Sequence, residues 1–249
     1  MADERIVAAW LGGSFGTGIA DDYSDIDLHL LIADEHVDDF RTGWVAVAQT
    51  ICPVVVTRSI PGLIGGWAIT PDWLHLDVIC YPAGTFDPAG LRGCRPLADR
   101  VGILPIDATT RPKPLGQPYF PQEAVQFYFY LLGNLAVVLG RGELTLASNG
   151  AIARRDLGLV PLMLAENGVS KSDGAKRLNP YLTREQIQVL HGLPAVASDR
   201  ESIIRFDQLV AAEMIKRGRP LARATGQTWP EQFEAATLAY LNREIGFRI

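Results

Sequence analysis

Apolar and polar positions change period along the chain, and those changes divide it. Ile6 to Leu11 is an apolar run stopped by Gly12-Gly13-Ser14, and Ile26 to Ile32 is a second run entered through acidic residues. Both read as strands joined by a glycine-rich turn. Val37, Phe40, Trp44, Val45, Ala48 and Ile51 recur close to helical spacing, which predicts a helix over 35–51. Pro53 then opens the β-branched run Val54-Val55-Val56, and two further strands are expected at 64–69 and 73–80, split by the turn Thr70-Pro71-Asp72. Residues 82–118 are rich in Pro and Gly, including Pro112, Pro114 and Pro118, and predict a crossing segment or hinge.

Past that segment the period becomes helical. Pro121 suits the first turn of a helix running to about Leu139 with Gly140 as its stop, and a second helix is expected over 151–166, ended by Asn167-Gly168. Capping-box spacing in Thr183/Gln186, Ser198/Glu201 and Thr228/Glu231 marks three more helices near 184–191, 199–217 and 230–244. The fold class that follows is α/β (α+β): a mixed-sheet domain over 1–105, a linker at 106–118, and an all-helical domain over 119–249.

Composition narrows the classes of function. With 249 residues, 48% of them hydrophobic and 20% charged, the chain can bury a true core. The formal charge of −5 comes with no block of Lys or Arg, which leaves little support for gripping a nucleic-acid backbone. The charge is unevenly shared: residues 1–118 hold 15 acidic and 8 basic side chains, residues 119–249 hold 13 and 15. The longest apolar stretch, Val125 to Leu139, is interrupted by Gln126, Gly133 and Asn134 and falls short of the roughly 20 residues that cross a bilayer, so no membrane span is expected. Cys52, Cys80 and Cys94 make no CxxC pair, and no basic region followed by an apolar core opens the chain, so a reducing cytoplasm is the expected location.

The chemistry concentrates in residues 12–29. On a strand, side chains two apart share a face, so Asp25, Asp27 and His29 point one way while Ile26, Leu28 and Leu30 point the other. Two carboxylates held that close repel unless a cation lies between them, and Mg²⁺ favours hard oxygen ligands together with phosphate oxygens. The same alternation in Trp73 to Ile79 puts Asp77 on a face with His75, and if that strand neighbours the first, three carboxylates converge. Such a set could hold two Mg²⁺ ions about 3.5–4 Å apart. Gly12, Gly13 and Gly16 let the backbone come near a ligand, and Ser14 can donate a hydrogen bond to a β- or γ-phosphate oxygen. The turn lacks the Gly-Lys-Ser/Thr ending of a Walker A loop and the G-x-G-x-x-G of a dinucleotide fold. Asp77 is the candidate general base for an attacking hydroxyl, and Glu123, near the start of the first helix of the second domain, is the alternative. Arg154, Arg155, Lys171, Lys176 and Arg177 are candidates for triphosphate contacts.

Gly13-Ser14, Asp25-Ile26-Asp27 within Ser24 to Leu28, and Asp77 resemble the signature of the DNA polymerase β-type nucleotidyltransferase superfamily: a Gly-Ser turn, a spacer, Asp-x-Asp and a third carboxylate on a later strand. The segment Arg95 to Gly102 is similar to the post-sheet segment of bacterial small-molecule nucleotidyltransferases of the aminoglycoside and lincosamide type, which share this size and domain order. The resemblance implies metal binding by Asp25, Asp27 and Asp77, and nucleotide contacts from Gly13, Ser14, Gly16 and Ser24. It implies ATP or another NTP as co-substrate, with transfer of a nucleoside monophosphate to a hydroxyl of a small acceptor, an antibiotic among the options. A protein adenylyltransferase of the toxin–antitoxin type and a non-catalytic nucleotide-binding regulator are the alternatives, and a homodimer is open. One departure stands out: such proteins commonly begin with a helix before the first strand, whereas Ile6 lies almost at Met1, so either that helix is absent or the native start lies upstream.

Overall fold

The computed structural model describes residues 3–91, 93–104, 116–171 and 177–249. Two compact units divide the chain, Met1–Lys113 and Pro114–Ile249. The first is a mixed α/β sheet unit and the second is all-helical among the described residues. Most of the expected linker, 106–118, lies outside the described residues.

The sheet unit runs β1 (Ile6–Leu11), a short helix α1 (Gly13–Thr17), β2 (Ile26–Ile32), α2 (Val37–Ile51), β3 (Val56–Ser59), β4 (Ile64–Ile69), β5 (His75–Pro82) and β6 (Arg95–Asp99). The strand order is β3-β4-β5-β2-β1-β6. Only β2 and β5 run parallel; the other neighbours are antiparallel. One face is closed by α2, whose buried residues Phe40, Trp44 and Ala48 follow the helical period and meet Ile6, Leu28, Leu30, Ile32, Ala68, Leu76 and Val78. Each large side chain buried there stabilises the fold by roughly 1.5–3 kcal/mol. The approach is close at Gly66, where a Cβ would lie 2.7 Å from the Trp44 ring. On the other face a smaller cluster of Ala8, Trp10, Leu31, Cys94 and Leu104 fills one end and leaves the carboxylate positions uncovered by that core.

Several boundaries differ from expectation for identifiable reasons. The Gly12-Gly13-Ser14 turn opens a single helical turn, with the Gly16 amide bonded to Gly12 O at 2.7 Å. The third strand is Val56–Ser59, not the run 54–56, because residues 56–59 are the ones that pair with Ile69 to Gly66. β5 starts at His75, since Thr70 ties Leu74 into the turn through Leu74 N to Thr70 Oγ1 at 2.9 Å and Thr70 N to Leu74 O at 3.0 Å. A strand, β6, lies inside the segment expected to be irregular; it is largely exposed, so it carries no apolar alternation to announce it.

The helical unit comprises α3 (Gln122–Gly140), α4 (Leu144–Arg154), a π-helical turn (Arg155–Leu159), α5 (Val160–Glu166), α6 (Arg184–His191), α7 (Arg200–Ala224) and α8 (Glu231–Ile245). The helix expected at 151–166 thus begins earlier and carries the π turn, whose Gly158 lies against the Tyr128 ring, 2.5 Å from a would-be Cβ. The capping box at Thr183/Gln186 forms, but α7 is capped by Asp199 through Ser202 N, and α8 has Pro230 at its N-cap with no side-chain cap bond. By length and composition α3 could cross a membrane, yet Val125, Tyr128, Phe129, Leu132, Leu135 and Leu139 on it are core residues of the helical unit. A bidentate ion pair, Arg154 to Asp207 at 2.7 and 2.5 Å, is buried beneath it. Burial holds the Asp207 carboxyl above its usual range, opposed by the Arg154 guanidinium.

Candidate active site

The parallel pairing of β2 and β5 sets the site. Asp27 lies opposite Asp77 and Ile26 opposite Leu76, so the two acids share a row and a face. Asp25 stands one residue before β2. Ligand oxygens of Asp25, Asp27 and Asp77 all lie within 4.8 Å of one another, and all three residues are half-buried. Their apolar alternates Leu28, Leu76 and Val78 are buried in the α2 face, which fixes the strands' rotation and leaves the acids no route into the core.

The turn after β1 closes on this group. Gly12 N donates to Asp27 O at 2.9 Å, so the turn is stitched to the carboxylate-bearing strand. Gly13 adopts φ +49°, and a Cβ there would sit 1.8 Å from Asp27 Oδ2. Only glycine supplies both that backbone conformation and that approach. Gly16 is held between the carbonyls of Gly93 and Leu11, at 1.8 and 2.7 Å from a would-be Cβ. Ser14 Oγ is buried and makes no hydrogen bond among the described residues. A buried hydroxyl left without a partner is costly in a protein that never fills the space beside it. Ser24, expected to contact nucleotide, has its hydroxyl engaged in the spacer: it accepts from Asp21 N at 2.8 Å and donates to Asp21 Oδ1 at 2.9 Å. Asp21 is accordingly a turn residue.

Two histidines flank the acids. His29 stacks on Trp10 with ring centroids 5.3 Å apart and bonds Tyr81 Oη through Nδ1 at 3.0 Å. Burial pushes its pKa down, and the ring supports the turn from below, 2.3 Å from a would-be Cβ on Gly12. His75 Nε2 is 3.1 Å from Asp77 Oδ1 but not aligned with it, so the atom is near the carboxylate yet without a hydrogen bond.

No protein-family model matches the chain. No curated protein matches it by sequence. Among solved structures it is similar to the crystal structure of an aminoglycoside 6-adenyltransferase from Bacillus subtilis, with a TM-score of 0.43 and 15% identity over 96% of this chain and 92% of that one. The likeness is weak, and what the site can do follows from its own residues.

Of the residues singled out in the sequence, Asp25, Asp27 and Asp77 come together, Gly13 packs against Asp27, Ser14 follows Gly13 in the same turn, and Gly16 packs against the Gly93 and Leu11 carbonyls. Arg154 does not serve as a phosphate contact, being locked to Asp207. Arg155 pairs with Asp156, Lys171 lies over the Tyr181 ring, and Lys176 is outside the described residues. Sequence reading also misses Trp67, whose Cα partner across β4 and β5 is Asp77. A strand over 64–69 is expected, but the register that sets Trp67 beside an acid is not a local property.

Proposed function

We propose that the sheet unit transfers a nucleoside monophosphate, AMP in the first instance, from an NTP to a hydroxyl of a small molecule, releasing pyrophosphate. The observation that carries this reading is the convergence of Asp25, Asp27 and Asp77 beside a glycine turn that packs on one of them. The three residues fit Mg²⁺: the donors are all hard carboxylate oxygens, close enough to share an ion, and a divalent cation among them would offset their mutual repulsion. Asp25, Asp27 and Asp77 would hold Mg²⁺, two ions in this reading, which supply charge neutralisation at the triphosphate and acidify the attacking hydroxyl.

The rest falls to the chain. Ser14 Oγ and the amides of the turn bind the β- and γ-phosphates, placing the α-phosphorus over the carboxylate row. Asp77 receives the acceptor's hydroxyl proton as its oxygen bonds to the α-phosphorus in line. The bond from that phosphorus to the bridging oxygen breaks, and pyrophosphate leaves with the electron pair. An antibiotic is the most concrete acceptor.

The test is a pair of measurements. Asp25→Asn or Asp27→Asn is expected to abolish Mg²⁺-dependent pyrophosphate release, and Asp25→Asn should leave the metal-free melting temperature unchanged or slightly raised, because repulsion among the acids is relieved. Added together, Mg²⁺ and a non-hydrolysable ATP analogue should stabilise the wild type and not the double variant. Near-normal turnover in either single variant would end the mechanism.

A further inference from the structure

The face that carries the acids does not stop at β5. Antiparallel partners point to the same side, so Trp67 on β4 shares the face of Asp77, and Ile69 that of His75; on β3, Val56 and Arg58 continue the same rows opposite Ile69 and Trp67. The opposite face of these strands, through Ile64, Gly66 and Ala68, is the one that α2 covers. Trp67 and Ile69 belong to no hydrophobic cluster among the described residues, and Val56 is 46% exposed. Trp67 meets His75 at close to a right angle, with centroids 6.2 Å apart, and is half-buried.

Two further observations say that this apolar strip is used. Trp73, at the mouth of β5, is 82% exposed and holds φ +67°, a left-handed conformation that a bulky residue rarely adopts. The turn that imposes it is tied by Trp73 N to Thr70 O at 3.0 Å and by the Thr70 hydroxyl to Asp72 and Leu74 N. Strain held by a well-bonded turn that presents a large aromatic to solvent, at the strand end from which Asp77 follows four residues on, is a pattern of functional sites. Charge gives the second constraint. Arg58 has no ion pair among the described residues, and it stands two strands from Asp77, about 10 Å by strand spacing.

We infer that Trp67, Ile69 and Val56 are the floor of the acceptor site, with Trp73 at its rim. The acceptor is a hydroxyl compound with a flat apolar ring system and an acid group that Arg58 receives. This rests on the nucleotidyl-transfer reading for the role of Asp77 and adds the class of acceptor. A ring stacked on Trp67 brings its hydroxyl to the neighbouring carboxylate, since facing Cα atoms in such a pair lie about 4.5–5.5 Å apart. Polycationic amines are disfavoured by Arg58, and sugars offer less apolar area to bury on the strip and would desolvate their hydroxyls.

The experiment measures binding by calorimetry to the wild-type protein, with and without Mg²⁺ and a non-hydrolysable ATP analogue. The probes are a hydroxymethyl-naphthoate, the matched aminomethyl-naphthyl methanol, and glucose. The naphthoate should bind at least tenfold more tightly than the other two. Trp67→Ala should lose tenfold or more of that affinity, and Trp73→Ala, at an exposed position where the fold is not at stake, about threefold. Arg58→Gln should erase the preference for acid over amine. Equal binding of the amine or glucose, no binding of the naphthoate, or full affinity in both tryptophan variants would overturn the inference. If the ATP analogue binds and the naphthoate does not, the acceptor class is wrong and nucleotidyl transfer stands. If the naphthoate binds as described and the analogue does not, the strip is a binding site and the transfer reading fails.

Discussion

Replacing Gly13 by alanine tests the contact on which the site is built. A Cβ at Gly13 would lie 1.8 Å from Asp27 Oδ2 and 2.8 Å from Asp27 Cγ. Non-bonded carbon and oxygen do not come closer than about 3 Å, so the carboxylate or the turn must shift by about 1 Å, and a shift of that size is ruinous for a positioned catalytic group. The residue also sits at φ +49°, where an L side chain costs roughly 1–2 kcal/mol. Gly18 separates the two effects: it has φ +76° and nothing within 4 Å of a would-be Cβ. Gly18→Ala should therefore carry the backbone cost alone, a fall in melting temperature of roughly 2–8 °C for a chain of this size, with binding of the Mg²⁺–ATP analogue intact. Gly13→Ala should lose more stability than that and at least tenfold in analogue affinity, followed by calorimetry, with pyrophosphate release down by about 10² or more. Wild-type affinity in Gly13→Ala would refute the claim that this turn sets the Asp27 carboxylate, and equal loss in Gly18→Ala would assign the effect to backbone strain.

Asp77→Asn should keep NTP binding within about tenfold and lower turnover by 10² or more, with Glu123→Gln milder; the reverse order in steady-state kinetics would place the base on Glu123. Asp207→Ala leaves the Arg154 guanidinium buried without its partner and should cost about 3–5 kcal/mol in denaturant unfolding, whereas the double change Arg154→Met with Asp207→Leu should recover most of it. Burial pushes the Cys80 thiol from about 9 to about 12, so the folded chain holds that proton more tightly than the unfolded one. Its contribution is fully present below about pH 9 and is lost as pH rises toward 12, by about 1.4 kcal/mol per pH unit; Cys80→Ala should flatten that part of an alkaline melting profile. A thiol reagent at pH 8 should modify half-buried Cys52 long before buried Cys80.

The sequence by itself determined the elements whose signal is local. Strands over Ile6–Leu11, Ile26–Ile32 and Ile64–Ile69 and the helix Arg184–His191 match their expected bounds, because runs of apolar residues, helical spacing and a Thr183/Gln186 capping box are all properties of neighbouring residues. The alternation through Asp25-Ile26-Asp27 determined that two acids share a face, whatever lies beside them. Tertiary structure decided everything that depends on a distant partner. It set β5 parallel to β2 in the register that brings Asp77 to Asp27, folded the turn so that Gly13 meets that carboxylate, and put β6 on the outer edge of β1 although its own residues are mostly exposed. It also decided that Arg154, a basic residue free to be anything in the sequence, is spent on Asp207, and that Trp67 stands beside Asp77. The physical reason is the same in each case: a strand's period fixes which way its side chains point, but pairing between strands far apart in the chain is chosen by packing of the whole face against α2, and no window of sequence contains that choice.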